Sequence, residues 1–125
     1  MVAADTSSMV AFLQGDLGAD VERVREALAA DQLVLPPPVF TELVSDPGIE
    51  SSVVDQLRAI RKRPLGPGYW ERAGRLRAAV LRRKRRARLG DALIAQYCLD
   101  YDLPLITRDR DFGQFAAVSK LEIVT

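Results

Sequence analysis

The chain contains no histidine, and this absence limits its chemistry more than any other feature of its composition. Acid–base catalysis near neutral pH usually depends on imidazole, so Ser-His-Asp and Cys-His mechanisms are excluded. Because Cys98 is the only cysteine, the chain forms neither an internal disulfide nor a zinc site of the usual nitrogen and sulfur ligands. Sites made of oxygen ligands, which suit Mg²⁺ or Mn²⁺, remain open.

The sequence also lacks a long apolar run. No segment approaches the roughly 20 apolar residues that a transmembrane helix needs, and the N-terminus has no basic segment followed by a hydrophobic signal core. A length of 125 residues with 28% charged residues is typical of a globular domain. We therefore expect one folded domain over residues 1–125 and a cytoplasmic location, with which the lack of disulfides agrees.

The net charge of +1 conceals a strong segregation of charge. Nine of the 18 Lys and Arg residues lie between Arg72 and Arg88, a segment with none of the 17 acidic residues, so the rest of the chain carries a formal charge of −8. Such a basic segment can steer a polyanion toward one face of the protein. Within it, five consecutive cations are either a solvated helix end or contacts for phosphate groups: Arg82, Arg83, Lys84, Arg85 and Arg86.

Short apolar runs alternate with helical patterns along the chain. Runs typical of strands occupy residues 2–4, 33–35, 103–107 and 121–124. Helices are predicted to begin near Ser8, Ala19, Val39, Val53, Tyr69 and Asp91, followed by a short one near Phe115. Strands alternating with helices predict an α/β fold with a parallel sheet covered on both faces, in which ligands bind beyond the carboxyl ends of the strands.

Four carboxylates lie where this fold would bring them toward one crevice. Asp5 and Asp109 follow predicted strands, whereas Glu42 and Asp91 lie near helix starts. Acids that share a crevice repel each other unless a cation separates them, and a hard divalent ion lowers the pKa of water and stabilises charge on a phosphoryl oxygen. The alternative is structural: the aspartates could be helix caps and Glu42 a solvated helical acid.

The acids belong to four ordered motifs: Asp5-Thr6-Ser7, Thr41-Glu42-Leu43, Asp91-Ala92-Leu93-Ile94-Ala95 and Leu105-Ile106-Thr107-Arg108-Asp109-Arg110-Asp111-Phe112. In this order and spacing, the motifs resemble those of the PIN-domain ribonucleases, most closely the VapC-type toxins of bacterial type II toxin-antitoxin systems. The resemblance covers essentially the whole chain. It implies a three-layer α/β/α sandwich with a central parallel sheet of four to five strands.

The resemblance also implies a function and a site. It predicts an endoribonuclease that depends on Mg²⁺, with Mn²⁺ as a possible substitute, a short antitoxin protein as partner, and a homodimer to which the helix near residues 53–60 could contribute. The acidic positions are Asp5, Glu42, Asp91 and Asp109, of which all but Glu42 are the expected metal ligands. Ser7, Thr107 and Asp111 are auxiliary positions.

Two other functions share these residues. One is a non-catalytic module that binds nucleic acid through residues 72–88, and the other is a nuclease of the same fold that cleaves DNA. Two further residues, although chemically versatile, are expected to be structural: Trp70 should pack in the core, and Cys98 should be a buried apolar residue rather than a nucleophile.

Overall fold

A computed structural model describes residues 1–124, which form a parallel sheet with helices between the strands. The strands are β1 (Val2–Ala4), β2 (Leu33–Val34), β3 (Leu105–Ile106) and β4 (Ile123–Val124). The helices are α1 (Thr6–Leu13), α2 (Ala19–Ala29), α3 (Pro37–Val44), α4 (Ser51–Ala59), α5 (Tyr69–Arg82), α6 (Leu89–Asp100) and α7 (Phe112–Ala116). The four strands run in the order β2-β1-β3-β4, and every neighbouring pair is parallel. The predicted α/β fold with a parallel sheet is confirmed.

Both faces of the sheet are covered. Consecutive residues of a strand point to opposite faces, and in the central strand β1 both Ala3 and Ala4 are fully buried. Leu105 and Ile106 of the neighbouring strand are buried in the same way. Strands buried on both faces require a helical layer on each side, so the architecture is the expected three-layer sandwich.

Four helices, α1, α3, α4 and α6, begin two residues earlier than the sequence pattern suggested. Helix α1 begins at Thr6 because the Asp5 side chain caps it, accepting a hydrogen bond from the Ser8 backbone N–H at 3.0 Å. Helix α6 begins at Leu89 with Arg88 at the N-cap position, so Asp91 is the third helical residue. The prediction that Asp91 opens this helix is therefore wrong, and with it the interpretation of Asp91 as a cap.

The basic run lies mostly beyond a helix. Helix α5 ends at Arg82, and Lys84 adopts a left-handed backbone with φ of 59°, which is incompatible with a continuing helix. Residues 83–88 form a loop that connects α5 to α6, and Arg77 ties it back by donating to the Ala87 carbonyl at 2.9 Å. All five cations from Arg82 to Arg86 are exposed.

Of the two residues expected to be buried, Cys98 and Trp70, only Cys98 lies in the core. Cys98 is buried, as expected, and burial raises the pKa of its thiol to about 12, which removes it as a nucleophile. Trp70 is 65% exposed, so the prediction that it packs in the core is wrong; the neighbouring Tyr69 fills that position instead. Among residues 1–124, no helix has the length and apolarity to cross a membrane.

Candidate metal centre

The candidate centre begins where two neighbouring strands end. Strands β1 and β3 are adjacent and parallel, so their carboxyl ends lie at the same edge of the sheet. Asp5 follows β1, and its backbone N–H donates to the carbonyl of Ile106, the last residue of β3, at 3.0 Å. Backbone pairing therefore brings Asp5 beside the segment that carries Thr107 and Asp109.

The Asp5 carboxylate is 2% exposed and is held by several donors. The Ser7 hydroxyl donates to it within 2.9 Å, and the Thr107 hydroxyl donates to Oδ2 at 2.6 Å. Burial raises the pKa of Asp5, the hydrogen bonds lower it in part, and the charge of Asp109 raises it further. The Ser7 and Thr107 hydroxyls therefore both donate to the buried acid, and their role as auxiliary residues of the site stays a prediction.

Thr107 connects Asp5 to the next two acids. Its hydroxyl oxygen accepts a hydrogen bond from the Asp109 backbone N–H at 2.9 Å, and Asp109 Oδ1 in turn accepts one from the Asp111 backbone N–H at 2.9 Å. This sequence of contacts fixes the backbone between β3 and α7. Asp109 and Asp111 are both partly buried.

Asp91 joins these acids from the first turn of α6. One oxygen each from Asp91, Asp109 and Asp111 lies within 4.8 Å of the others. Burial, followed by the charge of Asp109, raises the pKa of Asp91 to about 6, and the charges of Glu42 and Asp5 add to the increase. The positive charge of Arg88 lowers the pKa of Asp91.

Glu42 borders the same centre from helix α3. The Thr6 hydroxyl donates to Glu42 Oε1 at 2.7 Å, which anchors an otherwise exposed side chain. Its other oxygen, Oε2, lies 3.4 Å from the position that a Cβ on Gly90 would occupy. Gly90 therefore leaves room for Glu42 to approach the start of α6, and the structure brings all four predicted acids to one edge of the sheet.

The donor set fits a hard divalent cation. Three carboxylates offer oxygens within one small volume, and Asp91 Oδ2 is buried without a hydrogen-bond partner among residues 1–124. An orphaned, buried anionic oxygen is costly unless a cation or another donor compensates it. The geometric cluster differs from the predicted ligand set in one member, because Asp111 stands with Asp91 and Asp109 whereas both Asp5 oxygens accept protein hydrogen bonds.

An ion pair that was not predicted supports this edge. Arg108 donates to both carboxylate oxygens of Asp20, at 2.8 and 3.0 Å, and Ser8 donates to the same carboxylate at 2.9 Å. These contacts, with Arg108 foremost, lower the pKa of Asp20 to about 2. Arg108 lies between Thr107 and Asp109, so the pair anchors the segment that carries them. No local pattern indicated it, since 88 positions separate the partners.

The basic residues lie beside the centre and are not part of it. The exposed run from Arg82, the last residue of α5, to Arg86 in the following loop leads into α6, whose N-cap residue Arg88 interacts electrostatically with Asp91. Loop and acidic cluster are thus joined through the first turn of one helix. Whether the loop binds RNA stays a prediction.

Comparison with known proteins agrees with this arrangement. The PIN domain family matches residues 2–118. A solved structure described as a member of the VapBC family of toxin-antitoxin systems, VapBC-5, from Mycobacterium tuberculosis, has a similar fold with a TM-score of 0.70 and 22% sequence identity, covering 98% of this chain and 96% of that chain. No curated protein matches the chain. With a family match over almost its whole length, the chain belongs to the PIN domain family.

Proposed function

We propose that the protein is a metal-dependent endoribonuclease that acts as the toxin of a toxin-antitoxin pair. The observation that carries the proposal is the cluster of Asp91, Asp109 and Asp111. One oxygen of each lies within 4.8 Å of the others, and one buried oxygen of Asp91 has no hydrogen-bond partner within the described residues 1–124. PIN domains are generally metal-dependent nucleases, and the chain belongs to that family.

Asp91, Asp109 and Asp111 would hold Mg²⁺ or Mn²⁺, with Asp5 at their side as a further acid. Such an ion, when bound, would lower the pKa of water so that hydroxide is available as a nucleophile near neutral pH. It would also offset the charge on the phosphoryl oxygens. The reaction adds water to the phosphorus and breaks one ester bond, leaving a phosphomonoester and a hydroxyl. Without histidine, the protein needs these carboxylates and their ion to reach this chemistry near pH 7.

The remaining residues of the centre have separate roles in the proposal. Glu42, fixed through Oε1 by Thr6, presents Oε2 toward the centre and can accept a proton from water. Asp5 holds Thr107 and thereby orients Asp109. The exposed cations between Arg82 and Arg86 draw the phosphate backbone toward the acids, which would otherwise repel it.

The direct test is RNA cleavage by the purified protein with Mg²⁺ or Mn²⁺ and with a chelator. Asp91→Asn should abolish cleavage and weaken Mn²⁺ binding measured by calorimetry. Asp102→Asn is the matched control, because Asp102 is an exposed acid beyond the far end of α6 with a left-handed backbone that asparagine tolerates. It removes the same charge and should leave cleavage unchanged.

Equal cleavage in chelator, or an active and folded Asp91→Asn protein, would contradict the mechanism. RNA binding that weakens with salt, combined with no Mn²⁺ binding, would favour the non-catalytic module instead. Competition by single-stranded DNA of the same sequence separates an RNA-directed from a DNA-directed enzyme.

The toxin role rests on fold likeness to a chain from a toxin-antitoxin system and needs its own test. A short open reading frame beside the gene should encode a protein that co-purifies with this one and suppresses its activity. Expression of the chain alone should arrest growth, and the Asp91→Asn variant should not. The proposed homodimer is checked by the mass of the purified protein in solution.

A further inference from the structure

Trp70 is an exposed aromatic residue beside the acidic centre. It is the only tryptophan of the chain and the second residue of α5, and 65% of it is exposed. Its ring packs edge-on with the buried Tyr69 ring, with centroids 5.1 Å apart and an interplanar angle of 77°. Tyr69 itself is anchored, because its hydroxyl donates to the Leu93 carbonyl. The indole is therefore held in place while much of it faces solvent.

Trp70 lines a groove of about 330 Å³ that reaches the centre. The apolar part of the groove is formed by Trp70 with Pro37, Pro38, Leu65 and Leu93. At one side it is bounded by Glu42 and by Gly90, the residue before Asp91. The groove and the candidate metal centre thus share Glu42 and meet at the first turn of α6.

The apolar and charged residues of this groove indicate which kind of ligand it can bind. An apolar wall with an exposed indole suits a planar, uncharged ring, and Glu42 can accept hydrogen bonds from ring amino groups while it repels phosphate. The cations that suit phosphate lie at the other end of α5, from its last residue Arg82 into the loop that leads to α6 and Gly90. A ligand that carries both a flat neutral ring and a chain of phosphates satisfies both surfaces, and single-stranded nucleic acid has this chemistry.

We propose that the groove binds one unstacked base of the RNA strand against Trp70, next to the phosphate presented to the acidic centre. This inference rests on the proposed function, since it places the base of the substrate that the centre would cleave. It makes the enzyme selective for single-stranded or looped RNA, because a base within a duplex is already stacked and paired. The contact favours a base of any type, since every base has a face to stack.

The single tryptophan makes the proposal testable by fluorescence, with a chelator present so that no cleavage occurs. A short single-stranded RNA should quench the emission of Trp70. Two probes of equal length should not: the same RNA annealed as a duplex, and the same backbone with abasic sites. Anisotropy of a labelled RNA measures binding independently of Trp70.

Variants quantify the contact. Trp70→Ala should weaken binding of single-stranded RNA by about 5- to 150-fold, the range measured for loss of one base–aromatic stack, and Trp70→Phe should recover part of it. The slope of affinity against salt concentration should not change, because no phosphate contact is removed. Leu81→Ala, which truncates another exposed apolar residue of α5, is the control and should bind like the parent protein.

Binding of single-stranded RNA without quenching, or equal affinity of the Trp70→Ala variant, would overturn the proposal. Quenching by a protein encoded beside the gene, but not by RNA, would also overturn it and assign the groove to a protein partner. The two proposals can fail separately. If cleavage needs metal but is unchanged in the Trp70→Ala variant, only the proposed base site is contradicted. If RNA quenches Trp70 and the Trp70→Ala variant binds more weakly, but no metal-dependent cleavage occurs, only the proposed nuclease function is contradicted.

Discussion

The Thr107 hydroxyl donates a 2.6 Å hydrogen bond to Asp5 Oδ2, although 102 positions separate these residues in the chain. Asp5 directly follows β1, and Thr107 directly follows the neighbouring strand β3. The same hydroxyl accepts from the Asp109 backbone N–H. One threonine side chain therefore couples the buried acid of one strand to the acid of the next.

Replacing Thr107 should uncouple these strands. Thr107→Val keeps the shape of the side chain but leaves an oxygen of Asp5 short of a donor, which should lower the free energy of unfolding by about 1–3 kcal/mol. Because the Asp109 backbone N–H loses its acceptor, the Thr107 hydroxyl oxygen, Mn²⁺ affinity should fall as well. Thr107→Ser retains the hydroxyl and should preserve most of both properties in denaturant titrations and calorimetry. Equal stability of the valine and serine variants would refute this role.

The pKa of Asp91 predicts how the metal-free protein responds to pH. Its value is about 6 in the folded protein against an ordinary value of 3.8, so the folded state holds this proton more tightly than the unfolded chain does. The stability that protonated Asp91 confers is complete below about pH 4 and is lost as the pH rises through about 6. In chelator, the Tm of the parent protein relative to Asp91→Asn should therefore decrease across that window.

A divalent ion should reverse this effect. At pH 7, Mn²⁺ should raise the Tm of the parent protein and leave that of Asp91→Asn unchanged, because an ion that binds only the folded state stabilises it. A constant difference in Tm between the two proteins from pH 4 to 7 would contradict the assignment of the raised pKa to Asp91.

The pair of Asp20 and Arg108 should have the opposite pH dependence. Because the pKa of Asp20 is lowered to about 2, its contribution to stability is present above about pH 4 and disappears as the pH falls through about 2. A double-mutant cycle of Asp20→Asn and Arg108→Gln should give a coupling of about 1 kcal/mol at pH 7. That coupling should vanish near pH 2. A coupling free energy that does not change with pH would show that the interaction does not depend on the charge of Asp20.

The loop between α5 and α6 should control the salt dependence of RNA binding. If Arg83 and Arg85 each neutralise one phosphate, replacing both by alanine should reduce the slope of log affinity against log salt by about 1.4, or roughly 0.7 per contact. Affinity should fall similarly for RNAs of different sequence, because phosphate contacts carry no sequence information. The control replaces Arg25 and Arg58, two exposed arginines paired to acids on α2 and α4, and should leave the slope unchanged.

Local patterns in the sequence were sufficient for much of this fold. Strand β1, the cap of α1 at Asp5, the start of α3 within the proline run, and the break before Tyr69 follow from short-range sterics and hydrogen bonding. The start of α6 was misplaced because an aspartate resembles a cap, whereas the tertiary fold uses it as the third helical residue. Trp70 was misplaced for a related reason: Tyr69 and Trp70 lie four and three residues before the buried Ala73, so helical spacing fits both, and only packing decides which ring is buried.

The sequence by itself determined the kind of site, because a chain with no histidine and one cysteine has carboxylates as its available metal ligands. The order of strands and helices then directs those carboxylates to one edge of a parallel sheet. Only the tertiary structure decided which of them meet. Asp111 lies beside Asp91 and Asp109, while Asp5 is enclosed by protein donors, since distances of a few ångströms depend on how α6 packs against α7. The ion pair of Asp20 with Arg108 and the groove beside Trp70 arise in the same way, from contacts between segments that no local pattern relates.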